Sequence, residues 1–280
     1  MLLNASGCLD ALTAPEVATA LDAFVTKTVT PLPREGNEPP RIAEVDGGML
    51  NAIGLANPGR ERFLVDALPK LRALGVPLWV SVGGFAAHEY AETCARLEDV
   101  TIELNLSCPN VDEAPESAAE IVAACRAATT LPLYAKLSPH AWDIGQTVRA
   151  VAAAGADGVS LVNTLRGLAL GPGLTPRLAR GSGGFSGPAL KPVALAAVHA
   201  ARTATDLPIV GMGGLWTGQD ALDLIAVGAT HVALGTVLFA DPDAPARVRE
   251  ELEAAARRHG FAQPDDAFCT AFSGVVQTGN

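Results

Sequence analysis

Leu131-Pro-Leu-Tyr-Ala-Lys-Leu-Ser-Pro139, Ile144-Gly-Gln-Thr-Val-Arg-Ala-Val-Ala-Ala-Ala-Gly155 and Gly158-Val-Ser-Leu-Val-Asn-Thr164 follow one another in the middle of the chain. The outer two runs are short and apolar and end in polar residues. The middle run is rich in Ala and Val at helical spacing and stops at a glycine. Strand, helix and strand in that order make a crossover unit, and a crossover joins parallel strands. Outward from this unit the same alternation repeats. Strands are predicted at Leu2–Ser6, Ala23–Val29, Pro77–Gly84, Thr101–Ser107, Leu133–Pro139, Gly158–Thr164, Ile209–Gly214 and His231–Val237. Helices are predicted at Arg60–Gly75, Ala86–Leu97, Glu116–Thr129, Ile144–Gly155, Pro188–Thr203, Gly218–Gly228 and Pro245–Gly260. Eight strands with no obvious edge strand favour closure, so the expected fold is α/β, a (β/α)8 barrel. Residues 1–280 are expected to form one domain. Two strand-to-helix links are long, Thr30–Gly59 and Leu165–Gly187, and are read as binding loops over the C-terminal face of the barrel.

Composition narrows the functions such a barrel can have. The formal net charge of -10, with no block of Lys or Arg to offset it, opposes a nucleic-acid backbone. A small anionic ligand would need a local positive pocket. Five cysteines, Cys8, Cys94, Cys108, Cys125 and Cys269, form an odd set without CxxC spacing. That pattern fits reduced thiols in a cytoplasm and gives no readable metal site. The N-terminus lacks a basic stretch leading into an apolar one, and the Ala-rich runs are too interrupted to span a membrane. The expectation is a soluble cytoplasmic protein.

The predicted strands end in a particular set of residues: Ser6, Lys27, Gly83-Gly84, Asn105, Lys136, Asn163-Thr164, Gly213-Gly214 and Gly235-Thr236, with Cys108 and Asn110 just beyond the fourth strand. Lys27 and Lys136 close apolar strands, where a charge is costly to bury unless it meets an anion. A single such lysine reads as a side chain snorkelling to the barrel mouth; two on one rim read as a cationic site. The glycines after strands seven and eight leave backbone N–H groups free to approach phosphate oxygens, although glycine also serves tight turns. In Glu103-Leu-Asn-Leu-Ser-Cys-Pro-Asn110 the alternation turns Glu103 and Asn105 to one face, so a polar pair enters the barrel and leads to a thiol. Cys94 and Cys125, on helices, read as small hydrophobes. Cys108 reads as a thiol available for proton transfer. Asn51, Asn105, Asn110 and Asn163 each offer a donor and an acceptor, while Asn57, before Pro58, reads as a turn residue.

These segments resemble the class 1 dihydroorotate dehydrogenases. The likeness rests on Asn4-Ala-Ser-Gly7, Thr26-Lys27, Pro33-Arg-Glu-Gly-Asn37, Gly48–Gly59, Glu103–Asn110, Lys136-Leu-Ser-Pro139, Val162-Asn-Thr164, Gly187–Pro192, Gly211–Ala221 and Gly235-Thr236, in collinear order. The resemblance implies FMN-dependent oxidation of (S)-dihydroorotate to orotate in pyrimidine (UMP) biosynthesis, with Cys108 as the base and Lys136 and Lys27 as its catalytic companions. It implies FMN held by Ala5, Ser6, Lys27, Asn105, Lys136, Val162, Gly187, Gly213, Gly214, Gly235 and Thr236. It implies dihydroorotate held by Lys27, Asn51, Gly54, Leu55, Asn110, Asn163 and Thr164.

Family members usually carry more chain before Asn4 and a glycine-rich stretch after Asn110, where this chain has Val111-Asp-Glu-Ala-Pro-Glu-Ser117. The runs at Gly48–Gly59, Lys136–Pro139 and Val162–Leu165 look closer to the NAD-linked subclass 1B than to the fumarate-using 1A; Thr217-Gly-Gln-Asp220 leans the other way. Subclass 1B implies a partner subunit with FAD and a [2Fe–2S] cluster, and a homodimer or heterotetramer. This chain has no dinucleotide fingerprint after its first strand and no cysteine set to hold a cluster, so it is not expected to reduce NAD by itself. Two other readings stay open at this level: another FMN barrel reductase acting on uracil-like rings, and a non-catalytic barrel subunit.

Overall fold

The computed structural model describes residues 1–106, 117–140 and 143–273. Its main sheet has eight parallel strands: β1 (Leu2–Asn4), β2 (Phe24–Val25), β3 (Leu78–Val82), β4 (Thr101–Asn105), β5 (Leu133–Lys136), β6 (Gly158–Leu161), β7 (Ile209–Met212) and β8 (His231–Leu234). Their spatial order, β1-β8-β7-β6-β5-β4-β3-β2, is the chain order run around a ring. The ring closes where Leu3 bridges Ala23. β2 is two residues long, and a side chain reinforces the seam: Asn4 Nδ2 donates to the Val25 carbonyl, and Val25 N–H donates to Asn4 Oδ1, both at 2.8 Å. That full bidentate pairing accounts for a completely buried amide at the barrel wall. The predicted (β/α)8 barrel is therefore the observed one.

Alternation along the strands sorts the core into two layers. Ile102, Leu104, Leu133, Ala135, Val159 and Leu161 join the large cluster that packs the strands against the surrounding helices, with Val122, Cys125, Val148 and Val198 facing them. The helices of this outer ring include α1 (Ala87–Cys94), α2 (Ala118–Ala128), α3 (Ile144–Ala153), α4 (Lys191–Ala204), α5 (Gly218–Ala226) and α6 (Ala244–Arg258). Cys94 and Cys125 are wholly buried there, as expected of small hydrophobes. Inside the barrel, Leu3, Val25, Trp79, Tyr134, Val210, Met212 and Ala233 form a smaller apolar plug. Among the described residues no helix is long and apolar enough to cross a membrane.

The two long links are more ordered than the loop reading allowed. They supply a four-stranded antiparallel sheet in the order Ile42–Val45, Gly48–Asn51, Ser182–Ser186, Leu165–Leu168. The first two strands form a hairpin in which Val45 pairs with Gly48 across Asp46-Gly47, with Gly47 at φ 78°. An Asp-Gly pair is a strong two-residue hairpin signal, and here Gly47 takes the positive-φ position of the turn, where a Cβ would be strained. The sheet carries Asn51, Gly184 and Ser186 to the barrel mouth.

Candidate active site

Where the strands leave the ring, their ends surround a cavity of about 300 Å³. Ala5, Ser6, Lys27, Asn51, Gly54, Leu55, Asn105, Lys136, Val162, Asn163, Thr164, Gly187, Gly213, Gly214, Gly235 and Thr236 all line it. Sequence reasoning had named each of these sixteen residues, and the structure brings them to one place. Cys108 and Asn110, also named, lie outside the described residues.

One end of the cavity is backbone. Gly213 and Gly214 follow β7 at φ 116° and 74°, and Gly187 sits at φ 121° before α4. A Cβ on Gly214 would fall 2.4 Å from the Lys191 backbone nitrogen, and one on Gly187 would fall 2.4 Å from Gly48 Cα, so both positions need glycine for space as well as for φ. Gly235 differs: a Cβ there would have no atom nearer than Ala5 Cβ at 3.7 Å, so its bare backbone faces open space. Thr236 Oγ1 donates to Ser186 Oγ at 2.8 Å. Behind the rim, Lys191 Nζ pairs with Asp220 and Asp223, each at 2.5 Å, and ties the start of α4 to the start of α5. Burial alone would raise the Asp220 carboxyl, but donation from Lys191 and from Thr217 outweighs it and holds the group below the usual carboxylate range.

The other end is side chain. Ser6 Oγ donates to the Thr26 carbonyl at 2.8 Å and lies 3.3 Å from Thr28 Oγ1. Thr28 Oγ1 is also 2.9 Å from Ser81 Oγ, and Asn105 Nδ2 donates to it at 3.2 Å. Asn163 Nδ2 donates to Asn105 Oδ1 at 3.3 Å, and the Tyr90 hydroxyl donates to the Asn105 carbonyl at 2.9 Å. One network therefore fixes Ser6, Asn105 and Asn163, with Thr28 at its node. Sequence reasoning passed over Thr28; its place directly after Lys27 at a strand end was the available signal. Lys27 Nζ lies against Gly7, where a Cβ would come within 3.1 Å. Lys136 Nζ meets Glu103 Oε1 at 3.4 Å.

The peptide segment over this end is pinned from behind. Asn57 Oδ1 accepts from Thr30 N–H at 3.2 Å and Gly59 N–H at 2.9 Å, while its Nδ2 donates to the Leu55 carbonyl and Thr30 Oγ1, both at 2.7 Å. Asn57 is thus a turn residue, as read, and its amide also anchors Leu55, which stands in left-handed backbone at φ 57°.

The charge of the cavity is the reverse of the chain's. Two lysines line it and, among the described residues, no Asp or Glu does, in a protein of net charge -10. Their field is felt by Cys8, which also lines the cavity: burial pushes its thiol up, and Lys136 and Lys27 pull against that. A cationic mouth on an acidic barrel favours a small anionic ligand at the C-terminal face.

Comparison with known proteins gives the family. Residues 1–255 match the family model for dihydroorotate dehydrogenase, and the chain belongs to that family. A "Dihydroorotate dehydrogenase B (NAD(+)), catalytic subunit" from Pelobacter propionicus is 43% identical over 258 residues, covering 88% of this chain and 85% of the relative. Proteins of the same description from Listeria welshimeri and Latilactobacillus sakei are 44% and 46% identical, each over 79% of this chain and 77% of the relative.

Proposed function

We propose that this chain is the catalytic subunit of an NAD-linked dihydroorotate dehydrogenase, which oxidises (S)-dihydroorotate to orotate with FMN bound in the barrel mouth. The observation that carries the reading is a cavity lined by two lysines and, among the described residues, by no Asp or Glu, with a glycine rim at one end and amides at the other. FMN fits those ends chemically. Its phosphate needs backbone N–H groups with no Cβ in the way, and the open face of Gly235 and the positive-φ glycines Gly187, Gly213 and Gly214 supply that, beside the Thr236 hydroxyl. Ala5, Ser6, Lys27, Asn105, Lys136 and Val162 are assigned to the ring and ribityl chain. Bound FMN supplies a two-electron acceptor, a chemistry the side chains lack.

Dihydroorotate is a cyclic ureide with a carboxylate, so its edge alternates donors and acceptors. Asn51, Asn110, Asn163 and Thr164 are assigned to that edge, with Lys27 opposite the carboxylate and Gly54-Leu55 closing over the ring. Cys108 is the proposed general base for the C5 proton. A thiol has an ordinary pKa of about 8.5, near enough to neutral pH for proton transfer without a histidine. Lys136 places a fixed positive charge where negative charge accumulates, and the amides hold the substrate oriented.

Residues 1–280 are taken as one FMN-binding barrel domain, working in the cytoplasm without a membrane or nucleic-acid partner. The relatives are described as catalytic subunits, which supports a second subunit here as well. By the resemblance that subunit carries FAD and [2Fe–2S], and the assembly is a homodimer or a heterotetramer. Dihydroorotate oxidation by the isolated chain, with NAD, fumarate or an artificial dye as acceptor, tests the assignment. Turnover with dye alone is expected; brisk fumarate reduction would make the chain a complete enzyme and overturn the NAD-linked reading.

A further inference from the structure

Beneath the cavity lies a charge that the proposed chemistry does not use. Glu103 is 1% exposed and does not line the cavity, yet its Oε1 is 3.4 Å from Nζ of Lys136, which does. Its cross-strand neighbours are Ser81 on β3 and Tyr134 on β5. The Tyr134 ring packs on Trp79 with centroids 4.4 Å apart. One residue pair further along, Asn105 stands beside Lys136, and Lys136 beside Ser160, whose buried Oγ has no hydrogen-bond partner.

An anion underneath helps to offset the cost of burying the Lys136 ammonium, and it also acts on whatever charge the cavity holds. Burying a carboxylate is expensive, and the attraction of a partner roughly offsets the cost only when the pair is well placed. Paired to Glu103, Lys136 also presents less net positive potential to the cavity than a bare ammonium would. We infer that Glu103 is a positioning residue, which holds Lys136 at the cavity floor and, through it, tempers how strongly the site favours a reduced flavin. The inference rests on the FMN reading above. Uptake of two electrons and one proton by FMN adds one negative charge to the cavity, and the Lys136–Glu103 pair is the buried charge couple beneath it. With the carboxylate present, Lys136 stabilises that added charge in part; with it removed, more fully.

The test is the flavin midpoint potential of the full chain reconstituted with FMN, poised against reference dyes with dithionite supplying the electrons. In Glu103→Gln the carboxylate becomes a neutral amide of the same shape. Reduced FMN is expected to gain about tenfold in binding over oxidised FMN, an upward shift of about 30 mV for a two-electron couple. Glu103→Asp keeps the charge and withdraws it from Lys136, and is expected to shift the potential the same way by less. Should Glu103→Gln fail to accumulate as folded protein, Glu103→Asp carries the comparison. A purely structural Glu103 would weaken both forms of FMN equally and leave the potential still, so an unmoved or lowered potential in a folded variant overturns the inference. Failure of the FMN reading looks different, because the unaltered chain would then take up no FMN on titration.

Discussion

The two ends of the cavity recognise by different means. At the rim the atoms proposed to do the work are the backbone N–H groups of Gly187, Gly213, Gly214 and Gly235, where no Cβ stands. Along the wall from Ser6 through Thr28 and Asn105 to Asn163, the working atoms are side-chain tips locked by one another. A phosphate is the same on every nucleotide and can be held by backbone geometry, whereas a ring with a donor-acceptor edge has to be read by placed polar groups. Damage at the rim should therefore cost the hold on the cofactor's phosphate, and damage along the wall should cost the placement of the flavin and substrate rings.

The largest effect is expected at the proposed base. Cys108→Ser should retain FMN but slow its reduction by dihydroorotate about 10²- to 10⁴-fold near neutral pH, the usual worth of a positioned base. Stopped-flow reduction of the FMN-loaded variant measures this. An unchanged rate would mean that another group takes the proton, and an FMN loss in step with the rate would erase the contrast between the two ends.

Gly214→Ala is the corresponding insult to the rim. Its Cβ would fall 2.4 Å from the Lys191 backbone nitrogen, at a position already at φ 74°. Strain of about 1–3 kcal/mol from the backbone conformation alone corresponds to roughly ten- to hundredfold weaker FMN binding if the rim distorts to relieve it. Flavin content and FMN titration would show the loss. Once saturated with FMN, the variant should be reduced by dihydroorotate at close to the original rate.

A smaller effect sharpens the comparison further from the chemistry. Asn57→Ala removes four hydrogen bonds around Leu55 and Thr30. Releasing Leu55 from its left-handed conformation should raise KM for dihydroorotate about tenfold, as loss of a hydrogen-bonded anchor of about 1–2 kcal/mol implies, with FMN affinity unmoved. A change in flavin affinity instead would place the segment with the rim.

How far this site could be read from the sequence follows the same division. Strand starts were legible because apolar runs begin sharply after Pro77, Pro132 and Pro208. Strand ends read from the sequence run two to four residues too long: Ala23–Val29 stops at Val25, Gly158–Thr164 at Leu161 and Ile209–Gly214 at Met212. The reason is functional, since those residues leave the ladder to form the rim and wall, and nothing in local periodicity distinguishes a last strand residue from a first site residue. The antiparallel sheet at the mouth was missed because its strands come from two links more than a hundred residues apart, although Asp46-Gly47 signalled its hairpin. Glu103 was recognised as pointing inward, but its partner Lys136 lies on the next strand, and only the register of β4 with β5 brings them together.

The central claim is that this cavity brings FMN and dihydroorotate together, and anaerobic titration of the FMN-reconstituted chain with dihydroorotate tests it most directly. Loss of the oxidised flavin absorbance in proportion to added dihydroorotate, with orotate appearing in equal amount, is the expected result. Protein that takes up FMN yet keeps its oxidised spectrum in excess dihydroorotate would contradict it.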